Sequence, residues 1–187
     1  MANSSSAPAT CSAALPIPVD LFLSNKHPDY LTNSSGDIIF RLSRQSSKSP
    51  SIDKILLLDA AAAADPLISI HRHSKESWHG FKGDVGEENL LFKVHRSINK
   101  LTRTEFKVFL HGENLDDSNA SLEMKGWPFQ RSCTIYKGNT IVAQTSLMHK
   151  LNQVWVRRGR FRLTIFPGSV DPALIVALVV IFFDGRM

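Results

Sequence analysis

Four arginines, Arg157, Arg158, Arg160 and Arg162, fall within six positions, and no acid stands between Lys150 and Asp171. Guanidinium forks match phosphate oxygens two at a time, so such a cluster has the chemistry to hold a lipid head group or another polyanion. Gly159 allows a tight turn from Arg157 to Arg160, which would bunch these guanidiniums at one place. Arg157, Arg158 and Arg160 are therefore the candidate ligand-binding residues, for an anionic phospholipid or phosphoinositide. The commoner identity of such a cluster is a solvated hairpin tip. A sparser set, Lys93, Arg96, Lys100, Arg103 and Lys107, spreads through a predicted loop over Ser97 to Thr104 and reads as ordinary surface charge.

Other reactive side chains point to less. His71 and His73 sit two apart and would share one face of a strand, with His79 close by. Two imidazoles are half a metal site, but no Cys, Asp or Glu follows at ligand spacing, so an exposed polar face is expected and no metal. Cys133 lies between Ser132 and Thr134 with no base nearby, which reads as a buried, inert thiol. No nucleophile elbow, P-loop, dinucleotide fingerprint or HExxH motif is present. The expectation is no catalytic residue, no cofactor and no enzyme. Base readout needs a recognition helix or exposed stacking aromatics, and Trp78, Trp127 and Phe129 read as packing residues, so nucleic acid is not an expected partner. Trp155 beside Arg157 is the one aromatic–basic pairing.

The elements that must position these groups are short. The chain of 187 residues carries 43% hydrophobic and 21% charged residues with a net charge of +5, an ordinary balance for one globular domain. Residues 1–16 are almost entirely Ala, Ser, Pro, Thr and Asn and read as a disordered tail, which leaves 17–187 as the domain. Cys11 in that tail makes a disulfide with Cys133 improbable. Reduced thiols and the lack of a basic-then-apolar leader suit the cytoplasm, the nucleus or the periphery of the plasma membrane.

From Val19 onward, short runs rich in Val, Ile, Leu and Phe are broken by turn residues every eight to twelve positions. Expected strands are Val19 to Leu23, Ile38 to Leu42, Ile55 to Leu58, Leu67 to Ile70, Ser77 to Lys82 and Leu90 to Val94. They continue with Phe106 to Leu110, Leu122 to Lys125, Thr134 to Tyr136, Ile141 to Ala143, Val154 to Val156 and Phe161 to Ile165. Lys137-Gly138-Asn139 is a good hairpin turn.

The end of the chain differs. Pro172 to Phe183 is an uninterrupted apolar run between Asp171 and Asp184. As a helix it spans about 18 Å, too short for a bilayer core of about 30 Å, so no transmembrane span is expected. Asp171 suits an N-cap, Pro172 the first helical position, and Gly185 a stop. Its β-branched residues favour a strand and its length favours a helix over about 171–183; periodicity does not decide. An element apolar all round needs cover on all sides. A mainly β fold of about twelve antiparallel strands closed into a barrel, with this segment as a central helix, supplies it. Leu174, Ile175, Leu178, Val179, Ile181 and Phe182 are then the structural core.

Several runs together resemble the plant LURP-one-related proteins: Gly36 to Arg41, Leu56 to Ala60, Trp78 to Gly83, Leu91 to Val94, Arg131 to Tyr136, Phe166-Pro167-Gly168, and Ala173 to Ile181. The resemblance runs from about Val19 to Asp184. It implies a twelve-stranded barrel around a C-terminal helix, as in tubby C-terminal domains and, by sequence similarity, phospholipid scramblases. It also implies a plant protein without established enzymatic activity, in a family with ties to defence. Two function classes follow as expectations: a regulatory module that contacts anionic lipid, and a scaffold for a signalling protein partner.

Overall fold

The computed structural model describes residues 17–24, 27–46, 53–61, 65–84, 89–100, 103–111, 120–127, 132–147, 160–168 and 170–184, with 46, 53, 99 and 100 as backbone alone. Twelve strands precede one helix. They are β1 (Val19–Ser24), β2 (His27–Thr32), β3 (Ile38–Ser46), β4 (Asp53–Asp59), β5 (Pro66–Arg72) and β6 (Ser77–Lys82). Then come β7 (Leu90–Lys100), β8 (Arg103–Leu110), β9 (Leu122–Trp127), β10 (Ser132–Lys137), β11 (Thr140–Leu147) and β12 (Arg160–Ile165), followed by α1 (Pro172–Asp184). Every strand pairs antiparallel with its neighbours in sequence, and β1 pairs with both β2 and β12, so the sheet closes on itself with no free edge.

Alternation explains the wall. On β8, Thr104, Phe106 and Val108 face inward and are buried, while Glu105, Lys107 and Phe109 face outward. The expected hairpin is present: Lys137 pairs with Thr140 across Gly138 and Asn139, and Gly138 holds a φ of 58°, which a side chain at that position would strain. One strand was not expected. The strand β2 went unforeseen because only Leu31, fully buried, marks it as a wall segment; His27, Pro28, Asp29 and Tyr30 are exposed. The expected strand Val154 to Val156 lies outside the described residues, as do the tail 1–16 and Gly185.

The terminal run is a helix inside the barrel. Asp171 caps it: its Oδ1 accepts from the Ala173 N–H at 2.8 Å and its carbonyl accepts from the Ile175 N–H at 3.1 Å. Ile175, Leu178, Val179, Ile181 and Phe182 are buried, as are Val176, Ala177 and Val180 on the other faces; Leu174, near the start, is half-buried. Wall strands from around the circle join the same core, among them Leu21, Leu57, Phe92, Met124 and Leu163. At Gly126 on β9 the wall comes so close that a Cβ would meet the Ser132 carbonyl and lie 2.9 Å from the Phe182 ring. Among the described residues no helix is long and apolar enough to cross a membrane.

Candidate functional site at the basic end of the barrel

The barrel has two chemically distinct ends, set by strand direction. Strands β1, β3, β5, β7, β9 and β11 finish at the end where α1 finishes; β12 finishes where α1 begins. At the end where the helix finishes, the described residues present Arg44, Arg72, Lys75, Arg96, Arg103 and Arg160 against Asp29, Glu76, Glu105 and Asp184. The opposite end presents Asp37, Asp59, Asp65 and Asp171 against Lys82 and Lys137, while Asp84, just past β6, pairs its carboxylate along the outer wall with Lys54 near the start of β4.

Cations thus gather where the carbonyl end of the helix dipole emerges, and acids where its N–H end lies, which is the favourable sense for each.

Of the candidate ligand residues, Arg160 opens β12 at the basic end and is exposed; Arg157 and Arg158 lie outside the described residues, as does Trp155. Arg162 points outward two positions further along, 3.9 Å from the Asp20 carboxylate. The basic end also holds residues that sequence reasoning misread. The predicted loop Ser97 to Thr104 is strand almost throughout, and Arg96 on β7 pairs with Phe106 on β8, so its side chain enters the barrel mouth rather than lying on the surface.

There the Arg96 guanidinium sits 5.3 Å from the Trp78 ring centroid and 5.3 Å from that of Phe106, and Arg72 lies 5.8 Å from Trp78 on the neighbouring strand. Burial, and then the charge of Arg72, lower the pKa of Arg96, with Glu76 opposing. Trp78 packs edge-on against Phe106 at 5.5 Å, and Phe106 against Phe182 of the helix at 5.6 Å, an aromatic ladder from plug to mouth. Alternation carries the inward face from Phe92 and Val94 on to Arg96, but charge at a mouth position looks like surface charge.

A second correction concerns Trp127. It was expected to pack inside; it ends β9 at the rim and is 51% exposed. It lines an outer groove of about 620 Å³ with Arg103, Lys125, Ser132, Thr134 and Tyr136. Arg103 pairs with Glu105, and Lys125 pairs with Glu123 at 2.5 Å while lying 5.6 Å from the Tyr136 ring centroid. Phe129 lies outside the described residues.

The histidines sit on the outer wall. His71 on β5 pairs with His79 on β6, and His73 stacks on His79 with ring centroids 5.0 Å apart. Among the described residues no three His, Cys, Asp or Glu side chains converge to hold a metal. Cys133 is buried, and burial pushes its thiol pKa well above the ordinary range; its N–H donates to Thr145 Oγ1 at 2.7 Å.

His71 has a consequence for stability. Burial first, and then the charge of Lys54, hold its pKa below the ordinary 6.5, with Asp84 opposing. Among the described residues its buried Nε2 has no hydrogen-bond partner. The folded protein therefore binds this proton less readily than the unfolded chain. Stability is full above the unfolded pKa and is lost as pH falls from there through the folded value. Urea midpoints at pH 7.5 and 5.5 should differ less in His71→Gln than in the parent; an unchanged difference would show that His71 contributes nothing.

Comparison with known proteins accords with this architecture. The family model described as LURP-one-related matches residues 21–184. Protein LURP-one-related 7 of Arabidopsis thaliana is 45% identical over 176 residues, spanning 90% of this chain and 91% of that protein. Protein LURP-one-related 15 of the same plant is 30% identical, spanning 90% and 81%. An X-ray structure of an Arabidopsis thaliana protein overlays with a TM-score of 0.67 at 29% identity, covering 92% of this chain and 93% of that one. With the closed barrel, the threaded helix and the match over nearly the whole domain in agreement, this chain belongs to the LURP-one-related family.

Proposed function

We propose that the protein is a non-catalytic binding module in plant stress or defence signalling that meets anionic membrane lipid with the basic end of its barrel. The observation that carries this reading is the segregation of charge along the helix axis, with Arg160 and its neighbours at one end and acids at the other. A dipolar barrel is oriented by a negative surface before contact, and its cations then engage lipid phosphates within about a Debye length of 8–10 Å. The closed, apolar interior is filled by the helix, so ligand chemistry is left to the rims and the outer wall.

Co-sedimentation with phosphatidylcholine vesicles containing phosphatidylserine or a phosphoinositide tests it. Binding should fall as salt rises, and the variant Arg157→Ala/Arg158→Ala/Arg160→Ala should bind at least tenfold more weakly, at about 1 kcal/mol per basic residue near an anionic surface. Parental indifference to charged lipid would overturn the reading.

A second reading, a scaffold for a signalling protein, has its own observation. Ile17, Val19, Ile141 and Phe166 are exposed at the acidic end, where β1, β12 and β11 are neighbours. Capture of a specific partner that is lost on Phe166→Ser, with no lipid binding, favours it.

A further inference from the structure

Trp127 is a tryptophan left half exposed at the rim of the barrel. Its ring stands at the end of β9, 51% exposed, whereas Trp78 on β6 is 2% exposed. Its position on the barrel is selective. Of the large apolar side chains exposed in the described residues, Ile17, Val19, Ile38, Ile141 and Phe166 sit toward the acidic end, Tyr30 lies along β2 opposite Arg41, and Trp127 stands at the basic rim.

The neighbours of that indole are those of an interface rather than a core. Arg103, 57% exposed along its side chain, begins β8 on one side, and Ser132 begins β10 on the other. Behind it, the groove of about 620 Å³ is finished by Lys125, Thr134 and Tyr136. Indole has an apolar body and one polar N–H, so it is most stable where hydrocarbon gives way to water. Arginine and lysine stems lie along apolar surface while their charges reach for phosphates at the same depth.

We propose that Trp127 is a membrane-interface anchor: its indole enters the head-group layer of an anionic bilayer while Arg103 beside it, and Arg160 three strands along the same rim, meet lipid phosphates. The occupant is a lipid surface rather than a protein, because the rim that carries the indole is the cationic one. This sets the orientation of the bound barrel, with the C-terminal end of α1 toward the membrane and the acidic end facing away. The inference rests on the membrane reading above and adds to it a hydrophobic contact that charge alone does not supply.

The test uses the full chain with Trp155→Phe, so that emission comes from buried Trp78 and exposed Trp127, and phosphatidylcholine vesicles containing phosphatidylserine. Emission should shift to the blue on binding and be quenched by brominated acyl chains, and both changes should vanish in Trp127→Ala. That variant should partition about tenfold more weakly, with an unchanged urea midpoint, because an exposed ring leaves no cavity. Ile141→Ala, at the opposite end, should bind as the parent does. Undiminished binding by Trp127→Ala without quenching in the parent would overturn the anchor and leave a purely electrostatic docking. Absence of any binding to charged vesicles would overturn the membrane reading itself, and the anchor with it.

Discussion

Truncation before Asp171 is expected to leave insoluble or collapsed protein with no cooperative unfolding transition. The segment removed is the filling of the barrel. Ile175, Leu178, Val179, Ile181 and Phe182 are each 0–1% exposed, and burying a side chain of this kind contributes about 1.5–3 kcal/mol. A whole domain commonly has about 5–15 kcal/mol to lose. The inward faces of twelve strands would be left lining a void, and a void lined by apolar groups forfeits its packing contacts. Val176→Asp should act in the same direction without shortening the chain, since Val176 is fully buried within the apolar core and a carboxylate there would lose its hydration. Circular dichroism melts and size-exclusion chromatography read both variants. A monodisperse, cooperatively melting truncate would show that the barrel closes without its plug.

Phe182→Ala and Phe106→Ala should each lower stability by about 3–5 kcal/mol, the usual cost of deleting a buried phenyl ring. Both residues are 1% exposed, and their rings meet at 5.6 Å and 61°, joining helix to wall. The two losses should not add. The edge-to-face pair is worth about 0.5–1.5 kcal/mol beyond its area, and the second deletion removes a contact already gone. Phe183→Ala should cost less, because that ring is only partly buried. Urea titrations of the three single variants and the double variant check this. Strict additivity would place Phe106 and Phe182 in separate parts of the core. The ladder continues from Phe106 to Trp78 and on to Arg96, so Phe106→Ala also removes a support of the barrel mouth.

Much of the wall was legible because its residues alternate. Phe106 and Val108, or Leu122 and Met124, declare an inward face every second position, and Gly138 declares its turn. The rim was not legible, for a physical reason. Alternation says which face a residue takes, but at a barrel mouth the inward face is half wet, so Arg96 there and a surface arginine look alike in sequence. Trp127 shows the converse: aromatic content suggested packing, yet the last residue of β9 has run past the wall. The strand β2 escaped because one buried residue, Leu31, makes no pattern.

What the chain by itself determined is the need for enclosure. A run with no polar face between two aspartates has to be surrounded, and short alternating strands are the means at hand. Which charges stand together was decided only by the tertiary structure. Residues as distant in sequence as Arg44, Arg103 and Arg160 share an end because successive strands reverse direction. Closure then sorts every connection to one pole or the other, and no local property of the sequence carries that information.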